Sequence, residues 1–431
     1  MSYLSYKTTE YDWLGYIPST WRWLYLSQSC YEQSIKNIGN VESNVLSLSY
    51  GHIVPKKNID FGLSPKDYGT YQIVDNGNII MRLTDLQNDH KSLRSGLVKE
   101  RGIITSAYVC LKPFENPDFL QYLLHSYDTQ KFFYGLGGGV RQSIGYKDIR
   151  YIKVPLPPRD EQDQIVHYLD WKVSGINKLI NAKKRQIGLL QEQKRVFINN
   201  TLTKNGEAWH NYRAKYLFTE RNERSEHGHE THLSMSQKYG LVSDEQLDER
   251  RMLSESYEGG KICYENDVVL NRLKAHLGVF ALAPQKGVIS PDYTVLQPIT
   301  AKIIPKYAEY YLKSDACRYE LRIRVRGVVE GFWRLYTEDF NTISIPTPSL
   351  DEQTEILRSL DNENNRSEKL VGILNNEIVL LHEYRTRLIS DVVTGKLDVR
   401  GVAVPEYEVV EVVADDVVDD DEVTDEMAGE E

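Results

Sequence analysis

Two stretches of this chain carry nearly the same message: PLPPRDEQDQIVHYLD from Pro155 to Asp170, and PTPSLDEQTEILRSLD from Pro346 to Asp361. At a fixed offset of 191 positions, eight of the sixteen residues are identical: two prolines, Asp-Glu-Gln, Ile, Leu and the final Asp. An internal repeat of this length constrains the architecture before any other feature does. The same offset aligns Leu190 with Leu381, Glu192 with Glu383, Ile198 with Ile389 and Thr203 with Thr394. Upstream the match survives with small gaps. Trp21 answers Trp209, Leu48-Ser49 answers Leu233-Ser234, Arg82-Leu83 answers Arg272-Leu273, and GIITSAY (Gly102 to Tyr108) answers GVISPDY (Gly287 to Tyr293).

The well-kept segment has helical period. In the first copy the a positions of a heptad are Val166, Val173, Ile180, Ile187 and Lys194, and the d positions Leu169, Ile176, Lys183, Leu190 and Phe197. In the second copy the a series is Leu357, Asn364, Val371, Ile378 and Arg385, and the d series Leu360, Ser367, Leu374, Leu381 and Leu388. Such a seam predicts a coiled coil of about five heptads. Prolines upstream mark the starts, with Asp160 and Ser349 as N-caps, and Ser349 with Glu352 matching a capping box. A helix from Asp160 to Thr203 would run roughly 66 Å. Few residues separate its end from Trp209, so a second folded part must sit at its far end and the second helix must return antiparallel, giving a pseudo-twofold axis within one chain.

The parts preceding each helix read as α+β, a mixed α/β fold. NIIMRL and VVLNRL, then IITSAYVCL and VISPDYTVL, are short strand-like runs bounded by Gly, Pro and Asn. Each is followed by a helix-like segment, Phe119 to Gly135 and Lys306 to Gly327. Cations cluster in His90 to Arg101 and in Arg318 to Arg334, interleaved with aromatics, a pattern that suits phosphate and base contact.

The formal net charge of −10 argues against a nucleic-acid partner only until the acids are located. From Val404 onward there are thirteen Asp and Glu and no Lys or Arg, so the rest of the chain is mildly basic. A like-charge block predicts a solvated, disordered tail over 401–431, with a DNA-mimicking tail as the sharper alternative. The four cysteines, Cys30, Cys110, Cys263 and Cys317, stand far apart without a C-x-x-C pair, which fits a reducing cytoplasm. No apolar run approaches the 18 or so residues of a membrane span, and the start lacks the apolar stretch of a signal peptide.

These residues resemble the specificity (S) subunit of Type I restriction–modification systems. EYDWLGYIPSTWRW resembles the start of the family's first target-recognition domain, GIITSAYVCLKP and GVISPDYTVLQP its core strands, and the doubled P-x-P-x-x-D-E-Q the proline-rich lead-in to its two conserved helices. The resemblance implies two tandem target-recognition domains, 1–155 and 207–346, separated by two long helices, 156–206 and 347–400, that form an antiparallel coiled coil. It also implies a non-catalytic subunit of an adenine-methylating complex that reads a bipartite double-stranded DNA target. Two methyltransferase (M) subunits would bring S-adenosylmethionine and the restriction (R) subunits ATP and Mg, leaving this chain without a cofactor. In the recognition loops, Arg or Lys suits guanine or phosphate and Gln suits adenine. The candidates are Lys91, Arg94, Lys99, Arg101, Arg141 and Gln142 in the first domain, and Arg272, Lys274, Arg324, Arg326 and Arg334 in the second.

Three further motifs carry weaker signals. NPDF (Asn116 to Phe119) resembles the N-P-P-F of adenine methyltransferases but has Asp at the second proline. GLGGGV (Gly135 to Val140) follows a helix-like segment and lacks the spacing of a dinucleotide loop. HGHETH (His227 to His232) lacks a matching Cys or Asp cluster, so no metal site is expected. The alternative to a DNA reader is a two-domain protein-binding adaptor built on a coiled coil.

Overall fold

The computed structural model describes residues 3–49, 51–56, 67–84, 86, 93–136, 144–203, 209–236, 239–243, 257–327 and 333–413. They form two compact units, one from residues 1–184 with 375–431 and one from 185–374. The labelled helices are α1 (Pro117–Thr129), α2 (Arg159–Thr203), α3 (Pro305–Lys313), α4 (Asp315–Arg322) and α5 (Leu350–Val393). Each unit thus holds a globular part and one portion of both long helices.

The globular parts share a topology. In the first unit a four-stranded antiparallel sheet runs in the order Ser95–Leu97, Ile79–Met81, Val109–Pro113, Cys30–Glu32. In the second the same order is Phe280–Leu282, Val268–Asn271, Tyr293–Pro298, Phe218–Arg221. The strand carrying the first proline of each P-x-P pairs antiparallel with the strand that directly follows Trp21 or Trp209: Lys153–Leu156 with Arg22–Tyr25, and Ser344–Thr347 with His210–Arg213. The single helix-like segment predicted in the second unit is two helices. Ser314 ends α3 and its hydroxyl caps α4 at the Cys317 N–H, 3.3 Å away.

The repeated motif is a latch, built alike in both units. Trp21 Nε1 donates to Glu161 Oε1 at 3.0 Å, and Trp209 Nε1 donates to Glu352 Oε1 at 3.2 Å. Gln162 Nε2 donates to the Pro157 carbonyl while its Oε1 accepts the Asn116 N–H. Gln353 repeats this with the Pro348 carbonyl and the Ile304 N–H. Tyr122 donates its hydroxyl to Asp170, and Tyr310 donates to Asp361. The identical Glu, Gln and final Asp of each copy therefore hold polar groups at the joint between globular part and long helix, where an unmade buried hydrogen bond would cost about 1–3 kcal/mol, while Asp160 and Asp351 are exposed.

The heptad positions point inward within each unit: every named a and d residue of α2 and α5 is buried or partly buried. The helices run antiparallel. In the first unit Lys183 pairs with Glu377 at 2.5 Å, and Arg385 donates to Asn177 at 2.8 Å. In the second, Lys194 lies 3.7 Å from Glu368. As residue number rises on one helix it falls on the other. Ser349 and Glu352 form the expected capping box. Asp160 is not a cap: α2 begins at Arg159, so Asp160 sits in its first turn.

Two further expectations change. The aligned repeat of Leu48-Ser49 with Leu233-Ser234 is displaced by two residues. The bridges Val45–Ile103 and His232–Val288 make Leu46 the counterpart of Leu233. The run LSLS reads alike at either register, and packing decides: a Cβ on Gly102 would meet Leu46 at 2.7 Å and the Asn44 carbonyl at 2.6 Å, and one on Gly287 would meet Leu233 at 2.6 Å. The tail also departs from disorder over its first part, because residues 401–413 are bonded along α2. Like-charge repulsion is overcome there by hydrogen bonds from α2 side chains to the tail's backbone carbonyls. Residues 414–431 lie outside the described residues.

Candidate nucleic-acid interface

In the second unit three predicted residues, Arg272, Arg326 and Arg334, converge. Arg272 follows Val268–Asn271, and the Asn271 side chain accepts the Leu273 and Lys274 N–H groups, turning the chain outward. The Arg272 Nε donates to the Asp292 carbonyl at 2.7 Å, and its guanidinium lies 3.6 Å from the Asp292 carboxylate. Arg334 reaches the same carboxylate at 3.7 Å. Arg334 and Arg326 exchange both backbone hydrogen bonds, at 2.8 and 3.0 Å, so a tight bridge presents both side chains. Arg326 pairs with Asp339, which holds its pKa above the usual arginine range, and lies over the Tyr336 ring. Exposed Trp333 packs edge-on to His276 beside this group. Asp292, Trp333 and Tyr336 were not named from the sequence. Asp292 falls in the GVISPDY motif, which the sequence offers only as part of a strand-like run.

Arg324 is turned aside. It bonds to the Glu320 carbonyl and carboxylate and to Thr342 Oγ1, about three-quarters buried. Lys274 stands at the turn beside Arg272 with its backbone N–H on Asn271.

In the first unit, Lys99 and Arg101 lie between the strands Ser95–Leu97 and Gly102–Ile104. Both are more than half exposed. Arg101 is held by Glu42 at 3.2 Å and Asp75 at 2.8 Å, and the Ser43 and Asn44 N–H groups with Arg101 lower the Glu42 pKa. Lys99 pairs with Glu411 at 2.6 Å. Arg94 is a correction: it is fully buried, donating from Nε to the Tyr134 hydroxyl and from a terminal nitrogen to the Arg82 and Thr84 carbonyls. A guanidinium committed to three internal acceptors cannot face DNA. Lys91, Arg141 and Gln142 lie outside the described residues.

The decoy motifs have local explanations. Asn116 of NPDF caps α1, accepting the Asp118 and Phe119 N–H groups, with Pro117 at the first helical position. Gly135 ends a short 3-10 turn, while 137–140 lie outside the described residues. His232 stacks on Tyr257 with ring centroids 3.8 Å apart, and among the described residues no three His, Cys, Asp or Glu converge as metal ligands. All four cysteines are free and buried, and burial pushes the Cys30 and Cys317 thiols up to about 12.

Two latched modules, each exposing cations on loops at one sheet, define a two-module recognition protein. The chain belongs to the Type I restriction modification DNA specificity domain family, whose model matches residues 103–189 and 198–378. It is a specificity subunit, the DNA-recognising and non-catalytic member of such systems. It is 25% identical over 314 residues to the "Putative type I restriction enzyme MjaX specificity subunit" of Methanocaldococcus jannaschii, covering 67% of this chain and 71% of that one. It shares its fold with a solved chain from a study of complex assembly and conformational transition of the type I R-M system, at TM-score 0.63 and 16% identity over 88% of this chain and 99% of that one. Among the described residues no helix is long and apolar enough to cross a membrane.

Proposed function

We propose that this chain reads a bipartite double-stranded DNA target in the cytoplasm, one half-site per unit, and scaffolds two methyltransferase subunits and the restriction subunits. The observation that carries the reading is the duplication of the whole module, sheet, helix and latch together, with different cations on each copy's loops. Duplicated modules with unlike surfaces suit a target of two unlike blocks. On DNA, phosphate replaces the carboxylates that hold Arg101 and the Arg272–Arg334 pair, while bidentate guanidinium contacts to base edges select sequence. The chain needs no cofactor for this. The M subunits would bind S-adenosylmethionine and flip an adenine from each strand, and the R subunits would bind ATP and Mg.

The test exchanges residues 12–155 for another recognition domain and maps the methylated motif by methylation-aware sequencing of cells that also express the M partner. One half of the motif should change and the other stay. A change in both halves refutes the assignment of one half-site to each unit.

A further inference from the structure

The segment that follows α5 does not leave the first unit. Gln164 Nε2 donates to the Val399 and Val402 carbonyls at 3.0 and 2.8 Å, and the Tyr407 ring lies against His167. Ser174 Oγ then accepts the Val410 N–H at 3.3 Å, and Asn177 donates to the Val410 carbonyl at 2.7 Å. Asn181 takes both sides of the strap, donating to the Glu411 carbonyl at 2.9 Å and accepting the Val413 N–H at 3.0 Å. Lys184 donates to the Val413 carbonyl at 3.0 Å. From Ser174 to Lys184 these residues recur every three or four positions, along one face of α2. From Gln164 to Lys184 the helix rises about 30 Å, and eleven extended residues span about 36 Å, so strap and helix keep pace.

Those bonds go to the strap's backbone and would hold any extended peptide. What the strap's own sequence adds is charge. Glu408 pairs with Lys178 at 3.2 Å, and Glu411 crosses from the helix face to Lys99 at 2.6 Å. Lys99 holds the Glu411 carboxylate below its usual pKa. The strap belongs to a stretch with thirteen acids and no Lys or Arg, without which the chain's charge of −10 becomes about +3.

We propose that the polar face of α2 bearing Ser174, Asn177, Lys178, Asn181 and Lys184 is a binding site for an acidic extended peptide, filled in cis by residues 404–413, and that this peptide competes with duplex DNA for the first unit. Glu411 occupies the ammonium that a phosphate would take at Lys99. DNA engagement and strap binding are then mutually weakening, each by the same factor. The inference rests on the DNA-reading function proposed above.

The test uses the full chain, alone and with its M partner, on duplex DNA in low and moderate salt. Glu408→Gln with Glu411→Gln should tighten binding about 2- to 5-fold, as expected for exposed ion pairs. A chain ending at Pro405 should bind roughly tenfold or more tightly, with the gain shrinking as salt rises. Asn181→Ala changes no charge yet should also tighten binding, which separates a docked competitor from simple repulsion. Hydrogen exchange at the Val410 and Val413 amides should be slow in the free chain and faster on DNA. Equal affinities with unchanged exchange overturn the inference and leave the DNA reading intact. A truncation that tightens only the M partner overturns it in favour of a partner-docking face. Failure of every form to bind DNA overturns both.

Discussion

The two units join their globular parts to the long helices in the same way, and present their cations to solvent in different ways. At the joints, Trp21, Glu161, Gln162 and Asp170 do the same work as Trp209, Glu352, Gln353 and Asp361. On the loops, Arg101 is held singly by Glu42 and Asp75, whereas Arg272 and Arg334 share Asp292 beside a backbone bridge. The joint must solve one problem twice: bury a proline carbonyl and a helix-start N–H without leaving either unpaired. On the proposed reading the loops face different half-sites and have no reason to agree. Sameness marks where the fold is held, and difference marks where the proposed specificity would reside.

The joints are alike in bonding but unequal in burial, and the largest predicted effect tests that. Trp21 is 1% exposed, and Trp21→Ala should cost about 3–5 kcal/mol in urea unfolding followed with a probe in the first unit. Trp209 is only partly buried, so Trp209→Ala should cost roughly half as much. Equal losses would mean that the hydrogen bond to the glutamate outweighs ring burial.

Next come the glutamines. Gln162→Ala and Gln353→Ala should each cost about 1–3 kcal/mol, each leaving a proline carbonyl and an N–H unpaired. The two losses should match within error, and a clear inequality would break the equivalence of the latches.

On the loops, Arg334→Ala should weaken binding by about 1–3 kcal/mol if the side chain reads a base. It should relax selection in the second half-site alone. Arg101→Ala should act at the first half-site alone, and as a phosphate contact it would reduce the salt slope by about one. Loss of selection in the opposite half would sink the comparison.

The smallest effect separates the two aspartates. Burial raises the Asp170 pKa despite the Tyr122 hydrogen bond, so ionising Asp170 costs the folded state stability, and that cost appears as pH rises through its folded pKa. Asp170→Asn should therefore be neutral to slightly stabilising at neutral pH, with any gain vanishing in acid. Asp361 pairs with Lys306 at 2.8 Å, and Asp361→Asn should lose up to about 1 kcal/mol. Denaturation of both variants across pH checks the contrast.

The sequence carried the repeat, the seam and the strand-rich character of the modules because these depend on periodicity and identity, which survive without coordinates. Arg94 shows where that ends. A cation in a basic run reads as a contact, yet its neighbours Tyr134, Arg82 and Thr84 come from separate places in the chain, and only folding brings their acceptors to it. Asp292 was missed for the converse reason: nothing in a strand-end Asp announces that Arg272 and Arg334 will meet there.

By itself, then, the sequence determined that one module is built twice and that a helix follows each copy, because heptad spacing and identical residues at a fixed offset encode local geometry directly. Tertiary structure alone decided that Glu and Gln of the repeat close the joints, that Leu46 rather than Leu48 packs under Gly102, and that an acidic terminal segment lies along α2. Each of those depends on which distant backbone donors and acceptors come within hydrogen-bond reach, and no local pattern in a chain records its long-range neighbours.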